Sequence, residues 1–94
     1  MFAVTVIVAE KGYPVNPKSG RELNDIVNTK YENGLKIFHA GTYFEDNFLR
    51  NSGGRIFSFT VRSKNLGDAR DFVYRQLNKI ENKNIFYRSD IGNN

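Results

Sequence analysis

Apolar and polar positions predict four β-strands in the first two thirds of the chain. Phe2 to Ala9 is rich in β-branched residues and has no helical period, so it predicts a strand buried on both faces or nearly so. Leu35 to Thr42 predicts a second strand, Phe48-Leu49-Arg50 a short third, and the alternating run from Arg55 to Arg62 a fourth. We therefore expect three antiparallel strands, joined by short turns, between Leu35 and Arg62.

One amphipathic helix is predicted from Asn65 to Lys79. Its apolar positions recur at helical spacing and form one stripe, which consists of Leu66, Ala69, Phe72, Val73, Leu77 and Ile80. Asn65 is suited to be the N-cap, and Asp71 and Arg75 are spaced to pair on the solvent-facing side. One main helix on a small antiparallel or mixed sheet predicts an α+β fold, with a single domain over residues 1–94.

Two stretches leave alternatives open. Arg21 to Ile26 is compatible with a short strand or with a helical turn. The aromatic stretch from Ile85 to Gly92 is expected to pack back on the domain as a last strand or as an ordered arm.

A glycine-rich loop, Asn51-Ser52-Gly53-Gly54-Arg55, precedes the fourth strand. Adjacent glycines open backbone conformations that other residues avoid, and Arg55 stands where the loop meets the strand. Such a loop can offer backbone N–H groups and a fixed guanidinium to an anion. The alternative is a hairpin turn with a solvated arginine, for which two adjacent glycines are a common signal.

Composition limits the available chemistry. The chain has 94 residues, enough for one small domain, and no cysteine, which excludes disulfides, thiolate zinc sites and cysteine nucleophiles. The lack of disulfides is compatible with a reducing cytoplasm. A formal net charge of +4 favours anionic partners without separating nucleic acid from phosphorylated metabolites. The longest apolar stretch is far too short to span a membrane.

The residues that could carry catalysis are few. His39, the single histidine, has no neighbouring cluster of metal-ligand residues and is expected to be a packed residue with one ring nitrogen hydrogen-bonded. Glu45 and Asp46 are adjacent and would point to opposite sides of a strand, so we interpret them as turn residues. We expect neither a metal site nor a catalytic residue in this chain.

A single-stranded RNA-binding module is the alternative hypothesis. Arg55, Phe57 and Phe59 follow part of the basic-aromatic-aromatic spacing of an RNA recognition motif, in which exposed rings stack on bases. The match is partial, because that signature also has a glycine between the aromatics and a second aromatic strand. In a small sheet covered by a helix, such phenylalanines are more often core residues.

Five motifs occur in order along the chain. They are Gly12-Tyr13-Pro14, Phe38-His39-Ala40-Gly41-Thr42, Asn51-x-Gly53-Gly54-Arg55, the helix from Ala69 to Ile80, and Phe86-Tyr87-Arg88-x-Asp90-Ile91-Gly92. In this order and spacing they resemble the C-terminal domain of the phosphoribosylamine–glycine ligase (glycinamide ribonucleotide synthetase) family, from about Ala3 to Gly92. The resemblance implies a small mixed α+β unit, in agreement with the pattern of apolar positions.

The resemblance also implies a function. Enzymes of this family are ATP-grasp ligases of de novo purine synthesis, which join glycine to 5-phosphoribosylamine through a glycyl-phosphate intermediate and use ATP with Mg²⁺ or Mn²⁺. Their nucleotide and metal sites lie in upstream domains, so this chain is expected to bind neither and to be inactive alone. It is expected to pack on the ATP-grasp and N-terminal domains of a cytoplasmic enzyme, with neither nucleic acid nor a membrane as a partner.

Four residues of the glycine-rich loop are the candidate substrate-binding residues. In the whole enzyme, the domain would close one wall of the substrate site with Asn51, Gly53, Gly54 and Arg55. An ion pair between Arg55 and a neighbouring domain is the alternative role for that arginine.

Two features of the chain depart from the family pattern. Val15-Asn16-Pro17 stands where family members commonly have glycines and a tyrosine, and the segment before Asn51 is brief and aromatic, with Tyr43, Phe44 and Phe48. Because 94 residues cannot hold an ATP-grasp fold, we expect the chain to be a domain of a longer enzyme. A split gene product and a regulatory subunit that docks on a separate ATP-grasp chain are the alternatives.

Overall fold

The computed structural model describes residues 1–91, and Gly92 of the last motif lies outside the described residues. Strands and helices follow in the order β1 (Phe2–Glu10), α1 (Asn24–Val27), β2 (Lys36–His39), β3 (Thr42–Glu45), β4 (Phe48–Asn51), β5 (Arg55–Ser63), α2 (Leu66–Leu77) and β6 (Ile85–Phe86). The predicted α+β class with one main helix is confirmed.

A four-stranded antiparallel sheet in the order β2-β5-β1-β6 forms the frame of the domain. Its two long strands, β1 and β5, pair along their whole length, with Val4 opposite Val61 and Val8 opposite Phe57. The register then shifts between Val8 and Ala9, and Ala9 lies opposite Arg55. This irregularity, typical of a β-bulge, therefore lies beside the glycine-rich loop.

Helix α2 covers one face of this sheet. Ala69, Val73 and Leu77 are buried against the valines of β1 and the aromatic side chains of β5, which confirms the predicted apolar stripe. The Asn65 Oδ1 atom accepts a hydrogen bond from the Asp68 N–H at 3.1 Å, so Asn65 is the predicted N-cap. The helix ends at Leu77, two residues before its predicted end.

The aromatic side chains of β5 belong to the core. Phe57 and Phe59 are both 0% exposed, and the ring of Tyr31 packs edge-on against Phe59. Burying each ring contributes about 2 kcal/mol, so turning both outward would cost ~4 kcal/mol, a large part of the stability of a small domain. The interpretation of these rings as an RNA-stacking platform is therefore wrong.

The opposite face of the sheet is open, which corrects the prediction that β1 is buried on both faces. Val4, Val6 and Val8 point toward α2 and are buried, whereas Ile7, which points to the other face, remains 40% exposed. Phe38 on β2 is 55% exposed. Since α2 covers only one face, Ile7 and Phe38 stay partly open to solvent on the other.

The predicted strand from Leu35 to Thr42 is interrupted. The chain leaves the main sheet after His39, and Gly41 lies so close to β5 that a Cβ there would stand 2.8 Å from the Arg55 carbonyl oxygen. Strands β3 and β4 then form a separate two-stranded hairpin, so the expectation of three consecutive neighbouring strands is wrong. Asp46 and Asn47 have φ values of 53° and 68° and form the turn of this hairpin, which confirms the prediction for Asp46. Glu45, also interpreted as a turn residue, is the last residue of β3.

In both stretches that were left open, the structure combines the two alternatives. Glu22 forms an isolated bridge with Arg50, and the short helix α1 follows directly. At the other end, Ile85 and Phe86 pair with β1, and the chain continues as an arm to Ile91. The arm packs against the core through Tyr87 and Ile91.

Glu32 fastens the loop between α1 and β2 to helix α2. Its carboxylate accepts hydrogen bonds from Arg75 Nε at 2.7 Å, Arg75 Nη2 at 3.2 Å and Gln76 Nε2 at 2.7 Å. Arg75 therefore pairs with Glu32, and the predicted pair with Asp71 is wrong, because Glu32 offers a bidentate partner. These bonds and the nearby Lys79 lower the pKa of Glu32 from 4.5 to about 2.

We predict that Glu32→Gln lowers the melting temperature and reduces the loss of stability in acid. Because the folded pKa lies below the unfolded value, the carboxylate stabilises the fold above pH 4.5, and this contribution is lost as the pH falls toward about 2. Thermal unfolding across this pH range measures the effect. Glu81→Gln, an exposed acid-to-amide control, should leave the pH profile unchanged. Identical profiles for the two variants would contradict the role of Glu32.

Candidate functional site

The candidate site is built where the glycine-rich loop meets the loop after β1. The first loop joins β4 to β5, and the second runs from Lys11 to Gly20. Regular pairing ends here, because the register of β1 and β5 shifts between Val8 and Ala9. The two loops therefore take their shape from side chains rather than from a strand ladder.

Asn51 holds the two loops together from inside. It is 0% exposed, and its Nδ2 donates to the carbonyl oxygens of Lys18 at 2.6 Å and Gly53 at 3.0 Å. Its Oδ1 accepts from the Arg21 N–H at 2.7 Å. Since the whole amide is already hydrogen-bonded, the geometry makes Asn51 a residue that shapes the loop from behind.

Glu10 is the second buried polar side chain of the site. It is 1% exposed, and its carboxylate accepts hydrogen bonds from the N–H of Gly12 at 2.9 Å and of Lys18 at 3.3 Å. Arg21 Nε lies 3.8 Å from Oε1. Burial by itself raises the pKa of Glu10, but the two N–H donors and Arg21 together hold it below its ordinary value.

Gly54 and Gly53 have different roles in the loop. A Cβ on Gly54 would stand 2.2 Å from Tyr13 Cδ2, whereas a Cβ on Gly53 would meet nothing within 4 Å. Neither glycine has a positive φ, so the expected use of unusual backbone conformations is wrong for both. Gly54 is required because the ring of Tyr13 lies directly on its backbone.

Arg55 lies at one end of a groove of about 270 Å³. The groove is lined by Ile7, Ala9, Tyr13, Arg55, Phe86, Tyr87 and Arg88. Its lining therefore combines apolar and aromatic surface with two guanidinium groups. The side chain of Arg55 is exposed and forms no hydrogen bond or ion pair with residues 1–91, while its backbone pairs with Ala9 of β1.

The structure brings together some of the expected site residues and adds others. Gly54 and Arg55 adjoin the groove, Gly53 lies at the open edge of the loop, and Asn51 lies beneath it. Sequence reasoning missed Glu10, Tyr13 and Arg88 as parts of the site. Tyr13 and Arg88 stand in two of the five motifs, which was an available signal, whereas Glu10 follows an apolar strand without any distinguishing pattern.

His39, the single histidine, is not among the residues that line this groove. His39 Nδ1 lies 2.9 Å from Thr42 Oγ1 and its ring packs edge-on against Phe57, so the expected single hydrogen bond is confirmed, although the residue is exposed. Within residues 1–91, no three His, Cys, Asp or Glu side chains are grouped so that they could hold a metal ion. None of the described helices is both long and apolar enough to cross a membrane.

These features define the class of the protein: a small α+β domain with an open apolar sheet face and an arginine-lined groove beside a rigid glycine loop. Residues 3–94 match the family model described as "Phosphoribosylglycinamide synthetase, C domain". The chain belongs to this family.

Relatives with this domain are much longer than the chain. It is 39% identical over 90 residues to a phosphoribosylamine–glycine ligase of Brucella melitensis, covering 96% of the chain and 21% of the relative. A bifunctional purine biosynthetic protein of Dictyostelium discoideum is 39% identical over 92 residues, covering 97% of the chain and 11% of the relative. The chain thus spans about a fifth or less of the length of these relatives.

A solved structure gives the same result for the fold. The crystal structure of phosphoribosylamine–glycine ligase from Thermotoga maritima matches with a TM-score of 0.75 and 30% sequence identity. The match covers 94% of this chain and 21% of that one. The resemblance inferred from the five motifs is confirmed.

We predict that Gly54→Ala destabilises the domain by about 1–3 kcal/mol, because the new methyl group must displace the ring of Tyr13 or strain the loop. Gly53→Ala is the matched control and should change stability by less than about 1 kcal/mol, since its Cβ meets open space. Urea unfolding measures both. In a Tyr13→Ala background most of the Gly54→Ala cost should disappear; an unchanged cost would contradict the packing argument.

Proposed function

We propose that this chain is the C-terminal domain of an ATP-dependent, cytoplasmic ligase that joins glycine to 5-phosphoribosylamine to give glycinamide ribonucleotide. In this proposal the domain packs on the ATP-grasp and N-terminal domains and closes one wall of the substrate site. ATP and Mg²⁺ or Mn²⁺ are bound by those domains, and the chain alone is inactive.

The observation that carries the proposal is the position of Arg55. Arg55, which has no ion pair within residues 1–91, stands at the end of a loop whose backbone is held at two carbonyl oxygens. Gly53 accepts a hydrogen bond from Asn51 Nδ2 at 3.0 Å, and Gly54 accepts one from the Glu10 N–H at 2.7 Å. Because the backbone is fixed, only the side-chain rotamers of Arg55 have to be ordered when it binds an anion, which favours a binding role. Phosphoribosylamine carries a phosphate, for which a guanidinium is a suitable partner.

The proposed roles divide the loop into two layers. Gly53, Gly54 and Arg55 form the layer that faces the substrate, with Arg55 as the residue that binds its anionic group. Asn51 belongs to the same site but acts from the inner layer, where it keeps the loop in shape. The chain's residues therefore bind and orient, while the ATP-grasp domain supplies the phosphoryl-transfer chemistry.

The open face of the sheet supports the proposed packing on other domains. Ile7 and Phe38 are exposed there on either side of Ser58 of β5, and exposed apolar side chains that lie together on one face favour an interaction surface. Ile7 also lines the groove, so this face and the candidate site are continuous. A domain seated on this face would adjoin the groove of Arg55.

We predict that Arg55→Ala in the full-length ligase raises the KM for phosphoribosylamine roughly 10- to 100-fold, or lowers turnover. The range corresponds to the loss of a charge-assisted hydrogen bond of about 1.5–3 kcal/mol. Steady-state kinetics with each substrate varied in turn measures it. The effect should appear for phosphoribosylamine more than for glycine or ATP.

Lys64→Ala is the matched control, because Lys64 is an exposed cation just beyond the other end of β5. Its kinetics should equal those of the unaltered enzyme. Unchanged kinetics for Arg55→Ala, with a lowered melting temperature, would assign Arg55 to an interdomain ion pair and reject the substrate-binding role. Ligation by the isolated chain would reject the proposal that it is one domain of a larger enzyme.

A further inference from the structure

We propose that Arg88, oriented by Asp90, is the second guanidinium of a two-arginine site in the groove of Arg55, and that this site binds a phosphate monoester. The identification of the anion as the sugar phosphate of the substrate rests on the proposed function. The existence of a two-arginine anion site does not.

Arg88 lies where two grooves meet. It lines the groove of about 270 Å³ that also contains Arg55, and it lines a neighbouring groove of about 220 Å³ with Thr5, Val6, Ile7 and Ile91. Ile7 is common to both grooves. The two guanidinium groups therefore reach one continuous depression from different parts of the chain, Arg55 from β5 and Arg88 from the C-terminal arm.

The backbone around Arg88 is held in place by α2. The hydroxyl group of Tyr74 donates to the Arg88 carbonyl oxygen and accepts from the Ile91 N–H at 3.1 Å. Arg70 Nη2 donates to the Ser89 carbonyl oxygen at 3.2 Å. Since Arg70 and Tyr74 stand on a regular helix, they position the arm, although it lies beyond the last strand, β6.

The side chain of Arg88 is held by Asp90. Arg88 Nε donates to Oδ1 at 3.0 Å, and Nη2 donates to Oδ2 at 2.7 Å. A guanidinium has five N–H donors, and this bidentate pair uses two of them. The remaining three point away from the carboxylate, and because the group is planar, Asp90 also fixes the plane in which they lie.

The two arginines then contribute differently to anion binding. Asp90 offsets most of the charge of Arg88, so Arg88 contributes directed hydrogen bonds more than net charge. Arg55 has no such partner within residues 1–91 and contributes the net positive charge. A lysine at position 88 would preserve the charge but lack the planar, pre-oriented donors.

The dimensions and the lining of the groove favour a small phosphate ester. A volume of about 270 Å³ lies just below the usual range for ligand sites and suits a sugar phosphate better than a nucleotide. Ile7, Ala9 and Phe86 offer apolar surface beside the two arginines. This combination matches a ligand with one strongly anionic end and a compact body.

The test is an NMR titration of the 94-residue chain with ribose 5-phosphate, following backbone amides and arginine Nε–Hε signals. We expect saturable shifts at Arg55, Arg88 and Tyr13, and none with ribose. Arg88→Lys and Asp90→Asn should each weaken binding roughly tenfold, because lysine lacks the planar donors and asparagine no longer fixes their plane. Arg62→Lys, at an exposed arginine near the far end of β5, is the matched control and should bind normally.

Three results would overturn the proposal. The first is a titration without saturation. The second is binding by Arg88→Lys and Asp90→Asn as tight as that of Arg62→Lys, with native amide spectra for all three variants. Equal or tighter binding of N-acetylglutamate would assign the groove to a protein carboxylate. Because this titration measures binding to the chain alone, its failure is distinguishable from failure of the ligase kinetics of Arg55→Ala.

Discussion

The buried carboxylate of Glu10 and the buried amide of Asn51 determine the shape of the candidate site. Removing a carboxylate from water is costly unless its oxygens are hydrogen-bonded, and here the N–H groups of Gly12 and Lys18 satisfy that need. Asn51 uses both of its amide groups on the same two loops. These hydrogen bonds hold the glycine-rich loop and the loop from Lys11 to Gly20 in fixed positions beside the sheet. The positions of Tyr13 and Arg55 follow from this.

The parts of the fold that depend on local periodicity could be predicted from the sequence. The stripe of α2 and the alternation of β5 each specify a period, and Asn65 has the side chain that a helix N-terminus requires. β1 could not be assigned a buried face, because its apolar residues occupy both faces and only α2 decides which one is covered. The pattern could not show that the other face remains open.

Side-chain pairs between positions far apart in the chain could not be predicted from local sequence patterns. Arg75 has an acid four residues before it, yet it pairs with Glu32, which is 43 positions away. Asn51 belongs to a conspicuous loop, but its bond to the N–H of Arg21 spans 30 positions. This bond places its side chain beneath the loop, where it supports the backbone. The sequence pattern favours Gly54 for the backbone conformations that glycine allows, whereas the structure requires glycine there because Tyr13 approaches so closely.

The open sheet face and the groove act together in the proposed function because they share Ile7. A domain that covers Ile7 and Phe38 would also exclude water from the neighbourhood of Arg55. Coulomb attraction between a guanidinium and a phosphate strengthens as the local dielectric constant falls, so docking of the domains would increase the affinity of the groove for its anion. In the assembled enzyme, interdomain packing and substrate binding would then be energetically coupled: each would favour the other by the same free energy.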